Sequence, residues 1–346
     1  MNHFQSRWSS VLLCLLALVV LPLAGGCATD KQVISQAADA HQGLKPAVIT
    51  DPELARYMQQ VGDRIIASAK TSAQQGYGPM AKSKEDSSWM FSNAMQFHLV
   101  ASDTLNAFTT GGEHMYIYSK LFQTCKDEDE LAAVMAHEFA HVYGRHVASG
   151  MNRQYTMTGA ALGAGALGYA AGTGDARMAN ATTYFGAAAS GLQFVGMGYT
   201  RGDERQADEM GFHFYALAGW DPHQFAGFFK TLEQMGLETK SEMTSDHPSL
   251  ASRVDAANKW AAALPPEAAQ WRKPPVADPN RFNALKARTV QVVAAMPKDD
   301  TLNKAKLLLA AFPSCVTPED QPQTKAARAQ INTVMQGPAQ TPAKAK

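Results

Sequence analysis

His137, Glu138 and His141 stand in one short run, His-Glu-Phe-Ala-His. On a helix, residues four apart lie about 40° round the axis and about 6 Å along it, so the imidazoles of His137 and His141 project from one face toward a single point. Two neutral imidazoles at that spacing can share one zinc ion. Glu138, on the adjoining face, can take a proton from a water that the metal activates. The chemistry served by this spacing is hydrolysis.

Such a site needs a third protein ligand. His146 is near, but a metzincin places its third histidine three residues after a glycine, and that position here is Val147. The register is off by one, so His146 reads as a polar residue near the helix end. Glu204 and Asp208 are again four apart in a helical pattern, in Arg-Gly-Asp-Glu-Arg-Gln-Ala-Asp from 201 to 208. Glu204 can bind the metal while Asp208 accepts a hydrogen bond from a ligand histidine and fixes its tautomer. Spacing alone equally allows a solvated acidic face paired with Arg201 and Arg205.

The elements around these residues follow from pattern. Asp127 to Glu130 place acidic side chains in a first helical turn, where the dipole favours them, and Leu131, Val134, Met135, Phe139 and Val142 continue at helical spacing until Gly144. Upstream, Asp51-Pro52-Glu53 is a helix start followed by Leu54, Tyr57, Met58, Val61, Ile65 and Ile66. Residues 71–90 read as a loop. Phe97, Leu99 and Val100 form one strand pattern and residues 115–118 a second, after the Gly111-Gly112 turn. Residues 155–198 are rich in Gly and Ala, with GxxxG spacing at Gly159/Gly163 and Gly168/Gly172, which predicts a packed helical hairpin or lid; contact with a bilayer is the competing reading. Helical patterning resumes over 201–237 and 249–263, a proline-marked connector follows, and 301–312 reads as one more helix. The last stretch, 316–346, is expected to be disordered toward its end.

With 346 residues and 46% hydrophobic content, the chain can bury one large core or two modest ones. Lys plus Arg and Asp plus Glu balance at 31 each, which excludes the basic excess of a nucleic-acid binder. Arg7, an uncharged run from Val11 to Ala24, and Gly25-Gly26-Cys27 read as an export leader whose small residues before Cys27 resemble a lipoprotein cleavage box, with Ala24 in place of the usual Leu. Cys27 then becomes the lipidated N-terminus, and the lack of Asp after it favours an outer-membrane anchor facing the periplasm; a plain secretory signal is the alternative. Cys14 leaves with the leader, so Cys125 and Cys315 remain and are expected to pair in an oxidising compartment. The resulting division is a leader at 1–26, a tether at 27–50, a catalytic domain at 51–263 and a helical C-terminal extension with a disordered tail at 264–346.

Four motifs occur in one order: Asn106-Ala-Phe-Thr-Thr-Gly-Gly112, His137-Glu-Phe-Ala-His141, Glu204-Arg-Gln-Ala-Asp208 followed by Gly211 and Gly219-Trp-Asp-Pro222, and Ser245-Asp-His-Pro248 followed by Arg253. Together they resemble the M48 family of zinc peptidases over roughly residues 50–260. The resemblance implies an α+β, mainly helical, gluzincin-like fold with a small sheet beside the active-site helices. It implies one zinc per chain on His137, His141 and Glu204, with Glu138 as general base. Asp208 and Arg253 support the ligands, and Asn106, Ala107 and Phe108 line a strand edge that takes an extended polypeptide. Thr109-Thr110 departs from the Pro-containing turn of many members, at the rim of the site. His247 is expected beside the metal, stabilising an oxyanion or capping the ion; a structural loop histidine is the other reading. Tyr143 and Tyr199 are further oxyanion donors that sequence does not rank. The exported members resemble quality-control peptidases acting on unfolded or misassembled envelope proteins, with outer-membrane assembly machinery as a partner. A chaperone-like assembly factor with latent proteolysis is the rival function, and a structural lipoprotein with a decayed site fits badly with five intact site positions.

Overall fold

The structure, a computed structural model, describes residues 29–79, 86–163, 184, 191–195, 197–237, 248–314, 317 and 321–336. The first described element corrects the expectation of a tether. Helix α1, Asp30–Leu44, opens on a reciprocal cap in which Thr29 Oγ1 accepts from the Gln32 amide and Gln32 Oε1 accepts from the Thr29 amide. It buries Val33, Ala37, Ala40, His41 and Leu44. Two alanines and a histidine make up most of that stripe, so hydropathy alone does not reveal it.

Helix α2, Pro52–Gln74, starts where Asp51 accepts from the amides of Glu53 and Leu54 and buries the six apolar side chains of its expected stripe. It runs on into the span read as loop. Strands β1 (Gln96–Val100), β2 (Ala107–Thr109) and β3 (His114–Tyr118) form one sheet in the order β1-β3-β2, with β1 parallel and β2 antiparallel to β3. The short helix α3, Ser119–Thr124, leads to α4, Glu128–Tyr143, which carries the His-Glu-x-x-His run and is buried nearly end to end.

Beyond α4, Arg145 takes a left-handed φ of 55° and its guanidinium reaches Asp30 of α1 at 2.7 Å. That turn reverses the chain into α5, His146–Gly163. Helix α6, Arg201–Ala218, is opened by a Thr200/Asp203 capping box and closed by Gly219 at φ 102°, which breaks the 201–237 helical pattern in two. Helices α7 (Gly227–Gln234), α8 (Leu250–Ala262), α9 (Pro279–Ala295), α10 (Asp300–Ala311) and α11 (Pro322–Gln336) complete the described chain. Helix α11 occupies the middle of the 316–346 stretch, where Thr324, Ala327 and Ile331 recur at helical spacing and bury against the fold; the end expected to be disordered lies outside the described residues. The Gly/Ala-rich span lies mostly outside the described residues, and among those described no helix is long and apolar enough to cross a membrane.

The acidic first turn of α4 does more than complement a dipole. Glu128 is 3% exposed and accepts from Tyr57 Oη, Trp220 Nε1 and the amides of Val276 and Ala277. Asp129 accepts from Tyr215 Oη and the Asp221 amide, and Glu130 from Thr231 Oγ1 and the Lys126 amide. These donors satisfy two buried carboxylates, Glu128 and Glu130, and the half-buried Asp129, and they tie the root of the metal helix to α2, α6, α7 and the segment before α9.

The expected Cys125–Cys315 bridge falls partly outside the described residues. Cys125 is fully buried at the end of α3, its thiol pushed up by burial and by Glu130, and has no disulfide partner among the described residues; Cys315 lies outside them. The Lys286 ammonium donates to its carbonyl at 2.6 Å, so a polar contact ties this corner to α9.

Candidate active site

The apolar side of α4 is packed on the sheet and α2, and its His-Glu-x-x-His face meets α6. Gly211 sets how close the two helices come. A Cβ at that position would sit 2.9 Å from the backbone N and Cα of His137, so a side chain there would push α6 away. At this approach, the turn of α6 before Gly211 delivers Glu204 and Asp208 to the histidines.

Three groups then converge at one buried point. His137 Nε2 lies 3.0 Å from His141 Nε2 and 3.5 Å from Glu204 Oε2, and His141 Nε2 lies 3.7 Å from Glu204 Oε1. Ligands about 2.0–2.1 Å from a tetrahedral zinc stand roughly 3.3 Å from one another, so this triangle has the size of a metal site. Two imidazoles and a carboxylate also form a donor set suited to a borderline divalent ion. Glu138, next to His137, is fully buried, as is Glu204.

Behind the ligands stands a second layer. His137 Nδ1 donates to Asp208 Oδ1 at 2.8 Å, and Arg253, from α8, grips both Asp208 oxygens at 2.8 and 2.6 Å. The guanidinium of Arg253 also stacks 4.0 Å over the Phe229 ring. Burial would raise the Asp208 carboxyl, but Arg253 and His137 outweigh it and hold its pKa low. Removing one partner of such a buried pair costs on the order of 3–5 kcal/mol. Burial likewise opposes charge on His137, yet Asp208 and Glu204 raise its pKa to about 9, which marks the pocket as one that favours a cation. Burial keeps His141 well below the usual imidazole range even against the pull of Glu204, so its lone pair is available.

His146 stands near the helix end, as read from the sequence, with its side chain turned inward. It is 2% exposed, its Nδ1 is 3.0 Å from His141 Nδ1, and its Nε2 is 2.7 Å from Gln206 Oε1 on α6. The left-handed turn at Arg145 swings it back under His141. It lies against the far side of the His141 ring, outside the cluster of His137, His141 and Glu204. No spacing rule carries that signal, because it depends on the turn. The Tyr199 ring lies 3.9 Å from that of His141, whereas Tyr143 Oη is bound to the Tyr77 carbonyl, so of the two tyrosines Tyr199 is the one at the site.

Asn106, Ala107 and Phe108 do not present side chains to an open groove. All are at most 1% exposed; the Asn106 amide donates to the Pro313 carbonyl, and Phe108 packs between Phe194 and Phe312. The segment after α10, which the sequence placed in a separate extension, covers them. Helix α4 packs against this strand. His247 and Cys27 lie outside the described residues.

A mainly helical α+β fold with a three-stranded sheet, and two helices crossing at a His-Glu-x-x-His run and a Glu-x-x-x-Asp pair, define a gluzincin-type metallopeptidase. The model of peptidase family M48 matches residues 52–261, and the chain belongs to that family. It is 29% identical over 249 residues to the beta-barrel assembly-enhancing protease of Escherichia coli (strain K12), covering 70% of this chain and 45% of that one. It is 30% identical over 226 residues to a putative beta-barrel assembly-enhancing protease of Vibrio cholerae, covering 63% and 41%. A 29% likeness over 176 residues to the mitochondrial metalloendopeptidase OMA1 of Saccharomyces cerevisiae covers 48% and 46%. The chain thus spans less than half the length of these relatives.

Proposed function

We propose that this chain is a zinc endopeptidase that hydrolyses peptide bonds of unfolded or misassembled envelope proteins. The carrying observation is the buried triangle of His137, His141 and Glu204 with Glu138 beside it. The names of the bacterial relatives support a role near β-barrel assembly. When bound, the metal supplies Lewis acidity to the scissile carbonyl and to water.

The chain's own residues do the rest. Glu138 takes the proton of the attacking water and passes it to the leaving amine. Asp208, oriented by Arg253, keeps the Nδ1 proton on His137 and so leaves Nε2 facing the pocket, and His146 does the corresponding work for His141. An extended substrate pairs with a strand edge beside the site, which the wholly buried residues 106–108 support rather than form; strand addition of this kind selects unfolded chain over sequence. His247 acts on the oxyanion or as a latch on the metal. Cys27 carries the lipid that holds the protein at the outer membrane, facing the periplasm, where the assembly machinery and its stalled clients are found.

The rival chaperone reading separates from this one by experiment. The purified mature protein should cleave an unfolded outer-membrane β-barrel protein and leave the folded form intact, and His247→Ala should change the rate while keeping its metal. Binding of the unfolded protein without cleavage, by both chains, would favour the chaperone.

A further inference from the structure

Away from this site, three histidines from three separate elements meet on the other side of the sheet. His41 comes from α1, His98 from β1 and His114 from the start of β3, where it pairs with Gln96 and so lies diagonally across from His98. His98 Nε2 lies 3.0 Å from His114 Nδ1, and the His41 ring stacks 3.9 Å from that of His114 and 4.6 Å from that of His98. One ring nitrogen of each lies within 4.8 Å of the other two. The geometry points to a second metal site, in which His41, His98 and His114 bind one divalent transition ion of the zinc class and clamp α1 to the sheet.

Several features favour an ion over plain packing. The 3.0 Å separation between His98 and His114 is close to that of two nitrogens sharing a tetrahedral ion, and His41, stacked on His114, would turn its ring to bring a nitrogen to the same point. His41 Nδ1 is bonded at 3.0 Å to the hydroxyl of Tyr116, which is fully buried. A His41 that ligates through Nε2 would donate its Nδ1 proton to that oxygen, as histidine ligands commonly do. Burial, and the neighbouring rings and Lys45, hold the three pKa values near 4, 3 and 4, so at neutral pH each ring is uncharged and has a lone pair. The proton shared by His98 and His114 moves to the far nitrogen of its ring on metal binding, and none need be released. His98 and His114 are only partly buried, which leaves a route for the ion and for a water as fourth ligand. Nitrogen-only ligands select zinc, nickel or copper over magnesium or calcium. Lys45 bonds to Gln42 and offers no ligand.

The test is zinc content by mass spectrometry after the mature protein is equilibrated with Zn2+ and freed of excess. Wild type should hold two ions per chain, His98→Asn and His114→Gln one each, and the double variant His137→Ala/His141→Ala one. Cobalt added to that double variant should give visible absorption, and zinc should raise its melting temperature; these readings keep the test open if the His98 and His114 variants fold poorly. One zinc in wild type, retained in His98→Asn and lost in the double variant, with no cobalt spectrum there, would overturn the second site while leaving the catalytic one intact. Two ions in wild type that survive in both His98→Asn and His114→Gln would overturn it as well.

Discussion

Glu138→Gln should keep its metal and lose hydrolysis by about 10² to 10⁴-fold, the usual contribution of a positioned general base. The substitution preserves the size of the side chain beside His137 and leaves His137, His141 and Glu204 untouched, so the pocket keeps its shape and its ligands. What it removes is a carboxylate able to accept a proton. Because Glu138 is fully buried on the metal helix, no neighbouring carboxylate on that turn can replace it. Turnover at the wild-type rate by a metal-loaded Glu138→Gln protein would remove Glu138 from the mechanism.

His141→Ala and Glu204→Ala should each strip the metal, and His146→Ala should not. The first two remove one corner of a three-ligand triangle whose sides are 3.0, 3.5 and 3.7 Å. The third removes only the group behind His141, and outer partners of this kind cost roughly 10–100-fold in affinity. Isothermal titration with zinc separates the cases; to keep the second histidine cluster from contributing, the titrations are run in a His98→Asn background. Equal loss in all three would mean that the ligand set is misassigned, and no loss in Glu204→Ala would return Glu204 to a solvated acidic face.

The sequence makes the centre of this protein legible and its supports much less so. The His-Glu-x-x-His run declares its chemistry because helical spacing alone aims both imidazoles, and Glu204 with Asp208 repeats the logic one helix away. Gly211 and Arg253 entered only through the family pattern, and their physical reasons, a close approach to the backbone of His137 and a two-pronged grip on Asp208, are tertiary. The contact of His146 with His141 has no spacing signature, because it hangs on one left-handed residue, Arg145. Helix α1 was read as tether because its buried face is built from alanine and histidine, and with it His41 went unnoticed. The covering of Asn106–Phe108 by Phe312 and Pro313 joins residues some 200 positions apart, and no local pattern announces such a contact.

The most direct measurement is hydrolysis of an unfolded test protein by the mature chain before chelation, after the metal has been removed and verified by mass spectrometry, and after zinc is returned. Hydrolysis should vanish with the metal and come back with zinc, and in His137→Ala/His141→Ala zinc should restore nothing. Undiminished cleavage by the verified metal-free protein, or full restoration by zinc in the double variant, would contradict a catalytic metal at His137, His141 and Glu204.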